Sequence, residues 1–105
     1  MAQVKVTRWD AAKDGPVDEE KMKKKLAALG FEVKRYEFPA GKTFDEHSHG
    51  EYKVDAITSG QFECTHGGTS VVLKPGDYLE MPPNVAHSAK IVGSETVVLF
   101  DGTKK

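Results

Sequence analysis

From Phe31 onward, apolar and polar residues alternate in short runs that glycine and proline interrupt. A two-residue period of that kind predicts strands, because successive side chains point to opposite faces. The runs are FEVKRYEF (31–38), TFDEHSH, YKVDAITSG, Gln61 to His66, Ser70 to Leu73, YLEMP from Tyr78, His87 to Val92, and Glu95 to Phe100. PAG (39–41), Gly67-Gly68, Pro75-Gly76-Asp77 and Pro83-Asn84 supply the turns between them. Many short strands at close spacing argue for a closed antiparallel barrel or jelly roll rather than an α/β layer fold.

The first thirty residues read differently. In AQVKVTRW (2–9), Val4 and Val6 share one face, but the alternation slips at Arg8 and Trp9, which reads as an edge strand. DAAKDGP breaks it. From Pro16 to Leu29 the period becomes helical, with Met22, Leu26 and Leu29 on one stripe and Glu19–Lys23 and Glu20–Lys24 as favourable i,i+4 pairs. Asp14 or Gly15 is expected to cap the start, and Gly30 the end. Lysines 23 to 25 read as the solvated face of this helix.

Length and charge narrow the function. A chain of 105 residues is one domain. Fifteen basic residues against sixteen acidic ones give no bulk attraction to nucleic acid or to an anionic membrane, so a small-molecule or protein partner is expected. No apolar run suits a membrane span or a signal peptide, and Cys64 is the single cysteine. The expected setting is the reducing cytoplasm, and an exposed edge such as residues 2–9 predicts a homodimer.

Candidate chemistry enters with His47-Ser48-His49. In an extended chain these imidazoles lie on one face, about 7 Å apart along the strand, and could be two corners of a metal site or two solvated surface histidines. His66 sits beside Gly67-Gly68 and is expected to be exposed. Cys64 is expected to be a small apolar filler, and Phe62, Leu79, Met81, Leu99 and Tyr52 to line the barrel or its core.

Further along, GDYLEMPPNVAHSA runs from Gly76 through Pro82 to His87. Together with Gly41, His47-x-His49 and Gly60, it resembles the two-motif signature of the cupin superfamily over residues 39 to 101. The resemblance implies an all-β, cupin-type jelly-roll barrel with a short N-terminal helix: a single domain over 1–105, with strand and helix in 1–30 and the barrel in 31–101. It also implies a divalent metal inside, on His47, His49 and His87, with open positions for water or a ligand. Its identity stays open among Fe, Mn, Zn and Ni, as do the substrate and the catalytic residues.

Two positions depart from the family pattern. Where the first motif usually has a glutamate stands Lys53, and where the second usually ends in asparagine stands Ile91. Three readings of Lys53 compete. It swings to the rim and leaves the three histidines to bind metal alone, or it pairs with one of Glu51 and Asp55 while the other supplies the missing carboxylate. In the third, it stays inside, repels a cation, and anchors a small anion in a metal-free binding module.

Overall fold

The computed structural model describes residues 3–105. Nine strands and two short helices follow one another: β1 (Lys5–Thr7), α1 (Ala11–Asp14), α2 (Glu19–Ala28), β2 (Phe31–Phe38), β3 (Thr43–His47), β4 (Lys53–Ser59), β5 (Gln61–His66), β6 (Thr69–Leu73), β7 (Tyr78–Met81), β8 (His87–Val92) and β9 (Val97–Lys104). They form a five-stranded sheet in the order β1-β7-β4-β9-β2 and a four-stranded sheet in the order β3-β8-β5-β6. The strand pairings are antiparallel. The fold is all-β, a jelly roll of two facing sheets with short N-terminal helices.

The five-stranded sheet is covered on both faces, and alternation decides which residue serves which side. Ile57, Leu79, Val97 and Leu99 face the other sheet and join Phe62, Leu73 and Ile91 in the inner core. Val54, Ala56, Tyr78 and Phe100, one position out of phase, meet Met22 and Leu26 of α2 on the outside. Both helix residues are fully buried, worth about 1.5–3 kcal/mol each relative to exposure. Ile91, at the position where the family motif favours asparagine, is 4 % exposed and belongs to the inner core.

Three boundaries differ from expectation. The helix expected over 16–29 is α2, which starts later, at Glu19: Asp18, not Asp14 or Gly15, caps it by accepting from the Lys21 backbone N–H at 2.7 Å, while Gly15 (φ 72) ends a separate α1 before it. DAAKDGP is therefore not a plain break, since Asp10 caps α1 within it. β9 does not stop at Phe100 but continues through Lys104, because β2 and β4 flank it on both sides and keep pairing with it. This extension brings Asp101 and Thr103 into the sheet.

β1 is shorter than the expected 2–9, and residue 2 lies outside the described residues. It pairs with β7 in its own chain and forms an edge of the five-stranded sheet, with Val4 and Val6 packed on the inner core. The segment after β1 packs closely on Gly76, whose φ is 98; a Cβ there would lie 2.3 Å from that of Trp9. The glycine of the second motif is thus needed both for its left-handed backbone and for close approach of the N-terminal segment.

Candidate metal centre

Three histidines converge at one end of the space between the sheets. His47 ends β3, His87 opens β8, and the two are directly opposite in register. Opposed residues of an antiparallel pair share a face, so both rings project the same way. A register shift between Phe44 and His47 readies the strand end for this placement.

His49 arrives by another route than expected. β3 ends at His47, so no strand alternation carries His49 to the same face; the loop after β3 does. The backbone N–H of Asn84 donates to the His49 carbonyl at 2.7 Å. Asn84 itself holds a left-handed conformation (φ 65) in the turn that leads to His87, so a single turn positions two of the three rings.

The ring centroids lie 4.3 Å apart for His47 and His87, 4.9 Å for His47 and His49, and 5.3 Å for His49 and His87. The candidate ligand atoms fall within 4.8 Å of one another, and no carboxylate joins that group among the described residues. His47 Nδ1 donates to the Asp45 carbonyl at 2.7 Å and His87 Nδ1 to the Val85 carbonyl at 2.9 Å. Committing Nδ1–H to a carbonyl leaves Nε2 with its lone pair free, the tautomer a metal ligand requires.

Electrostatics favour the neutral form of His87 and His49. His87 is 4 % exposed, and burial holds its imidazolium pKa below the usual value, helped by the neighbouring His47 and His66 and opposed by the bond to Val85. Burial lowers His49 as well, with His47, His87 and Lys53 adding to the effect. The donor set, three imidazoles in a concave site, fits a divalent cation with positions to spare.

Beside the histidines lies a cavity of about 210 Å³, walled by Phe44, Phe62, Met81 and Leu99 among others. Cys64 lines it too, 2 % exposed, its thiol pushed up to about 11 by burial and then by the Asp55 carboxylate; as expected it fills space as an uncharged group. Phe62, Met81 and Leu99 line the cavity as expected and Leu79 lies in the inner core, whereas Tyr52 belongs to the outer core, stacked on Phe31 at 6.0 Å.

Lys53 faces the cavity with a side chain 14 % exposed, so it does not swing to the rim. Its ammonium donates to Asp101 Oδ2 at 3.0 Å and to Thr103 Oγ1 at 2.8 Å. The partner is thus Asp101, neither Glu51 nor Asp55. Asp55, opposite Asp101 in register, also lines the cavity and stands apart from the histidine group. Burial, then the Asp101 charge, raises its pKa to about 7, with Lys53 opposing. Glu51 is exposed in the loop before β4, in an outer polar cleft with Glu32 and Lys34.

His66 corrects another expectation. It is the last residue of β5, half-buried, and directly opposite His87, so the row His47–His87–His66 crosses three neighbouring strands. Asp101 and Thr103 were absent from the sequence-derived site; the period-two pattern Leu99-x-Asp101-x-Thr103 was the signal that could have found them.

A two-sheet jelly roll with three histidines gathered beside its cavity is one of the closed all-β architectures. Residues 34–102 match the cupin domain family, and the chain belongs to it. Among solved structures, the fold is similar to a cupin 2 conserved barrel domain protein from Salinispora arenicola CNS-205 (22 % identity, TM-score 0.64, covering 72 % of this chain and 64 % of that one). It is also similar to an RmlC-like cupin from Shewanella frigidimarina NCIMB 400 (26 %, TM-score 0.62, 70 % and 65 %). A third is KdgF from Halomonas sp. (20 %, TM-score 0.59, 72 % and 82 %). The matched part is less than two thirds of the first two chains. A search of curated proteins finds no match.

Proposed function

We propose that this cupin holds one divalent metal on His47, His49 and His87 and presents the remaining positions to a small molecule in the adjoining cavity. The observation that carries the reading is the convergence of the three rings, with Nδ1 of His47 and His87 tied to backbone carbonyls. An all-imidazole set suits Fe, Zn or Ni better than Mn, and the chemistry such a metal supplies is polarisation of bound oxygen groups, as in oxidation or isomerisation of a small polar molecule. The protein's part is to fix the rings and to surround the ligand with apolar walls.

A metal-free anion module built on Lys53 is the weaker reading, because the ammonium already has an anionic partner in Asp101 and a hydroxyl acceptor in Thr103. A homodimer through an open sheet edge belongs to the same proposal and is tested by light scattering at micromolar concentration. Among the described residues no helix is long and apolar enough to cross a membrane.

The test of the metal reading is a cobalt(II) titration of metal-free protein followed by melting temperature and visible absorption. Saturation at one equivalent with a rise in melting temperature is expected, since a ligand that binds only the native state stabilises it. His87→Ala should abolish both signals; their absence in the unaltered protein would contradict the proposal.

A further inference from the structure

The inner face of the four-stranded sheet changes character one row in from the histidines. Strand register sets His47, His87 and His66 side by side in one row, and Phe44, Ala89 and Cys64 in the next. His87 and Ala89 are alternate residues of β8 and point the same way, so the two rows lie about 7 Å apart. Phe44 and Phe62 lean on one another with ring centroids 6.3 Å apart, and Met81 and Leu99 of the other sheet line the same cavity. Facing sheets stand about 10 Å apart, so the small side chains of Ala89 and Cys64 leave a slot beside the metal centre. Ala89 points inward from the middle of a strand and is still only half-buried, as the floor of such a slot should be.

Charge sets the character of the histidine end. Imidazole ligands bring no negative charge, and among the described residues no carboxylate joins them. The other charged side chains that line this cavity are Lys53, Asp55 and Asp101. With both acids ionised, a divalent cation and the Lys53 ammonium still exceed them by one positive charge, and a proton on Asp55 widens the excess. Glu32, Lys34 and Glu51 lie in the outer polar cleft. A part-open cleft of one sign with apolar walls concentrates counter-ions.

We propose that the ligand of the three histidines is a small monocarboxylate with a flat apolar body, its carboxylate on the metal and its body in the slot over Ala89, whose single methyl group sets how large that body can be. The inference rests on the metal reading above. It differs from a metal-free anion module because the metal meets the carboxylate, while Lys53 stays with Asp101 and Thr103. The cavity of about 210 Å³ is smaller than the roughly 300–1,000 Å³ of drug-sized ligand sites, so a body of one ring suits it. A carboxylate joined directly to a ring places the head at the first row and the body at the second.

The experiment uses zinc-loaded protein freed of excess metal and three probes: benzoate, acetate with the same head and no ring, and benzyl alcohol with the same ring and no charge. In calorimetric titration benzoate should bind at least about tenfold more tightly than either, burial of the ring giving the difference from acetate. In Ala89→Leu the added carbons fill the slot, so zinc uptake and acetate binding should be retained while benzoate falls to the level of acetate. Benzyl alcohol binding as tightly as benzoate would overturn the charge requirement, and acetate binding as tightly as benzoate would overturn the slot. Unchanged benzoate affinity in zinc-loaded Ala89→Leu, equal affinity in metal-free protein, or no binding of benzoate would each overturn the proposal. Should the variant not fold, the three probes with the unaltered protein still decide. Failure to take up zinc is seen at the loading step and counts instead against the metal reading.

Discussion

Asp101 accepts a hydrogen bond from Lys53 at 3.0 Å, across the β4–β9 pairing, and thereby holds an ammonium inside the cavity but turned to a carboxylate of the same sheet. The position where a cupin motif usually carries a glutamate is thus neither vacant nor free to repel a cation. Replacing it should not restore a lost ligand. Lys53→Glu would set a third carboxylate beside Asp55 and Asp101, and is expected to lower stability in urea denaturation by about 1–3 kcal/mol, the range for losing a charged hydrogen bond. Metal content of that variant should not exceed that of the unaltered protein; a clear gain would mean that lysine was the obstacle.

Asp55 predicts the direction of pH dependence in metal-free protein. Its folded pKa is raised to about 7 from 3.8. Between those values the folded state binds the proton more tightly than the unfolded state, so this contribution is complete at low pH and is lost as pH rises through 7. Urea denaturation at intervals across this window should show Asp55→Asn losing less stability with rising pH than the unaltered protein. Parallel curves would contradict the assignment.

Asn84 links a backbone conformation to the site. Alanine there must adopt φ near 65 at a cost of about 1–2 kcal/mol, whereas glycine adopts it freely. Because the Asn84 N–H holds the His49 carbonyl, Asn84→Ala should weaken cobalt binding, and Asn84→Gly should retain most of it. Equal affinities in both variants would separate the turn from the metal site.

The helix side of the sheet should be separable from the site. Leu26 is fully buried among outer-core residues, so Leu26→Ala is expected to cost about 2–5 kcal/mol. The histidines lie on the opposite side of that sheet, and cobalt affinity of the folded variant should stay within a factor of a few.

Local signals made much of this legible. β2, β5 and β8 occupy the residues that alternation and turns predict, and His47, His49 and His87 meet as the motif resemblance implied. What stayed hidden was pairing between distant residues. Lys53 and Asp101 are 48 positions apart, and alternation tells which face a side chain takes but not which strand lies beside it. For the same reason His66, read from the glycines that follow it, turned out to stand opposite His87. His49 illustrates the converse: its convergence was expected from strand geometry but is achieved by a loop pinned at Asn84. The helix start was missed because three candidate caps lie within five residues, and it is Asp18 whose side chain accepts from the Lys21 backbone N–H.

Elemental analysis of the protein purified without chelator tests the central claim most directly. The account predicts about one divalent metal per chain, lost in both His47→Ala and His87→Ala, because removing one of three ligands destroys the site. Metal-free native protein, or metal retained in both variants, would contradict it.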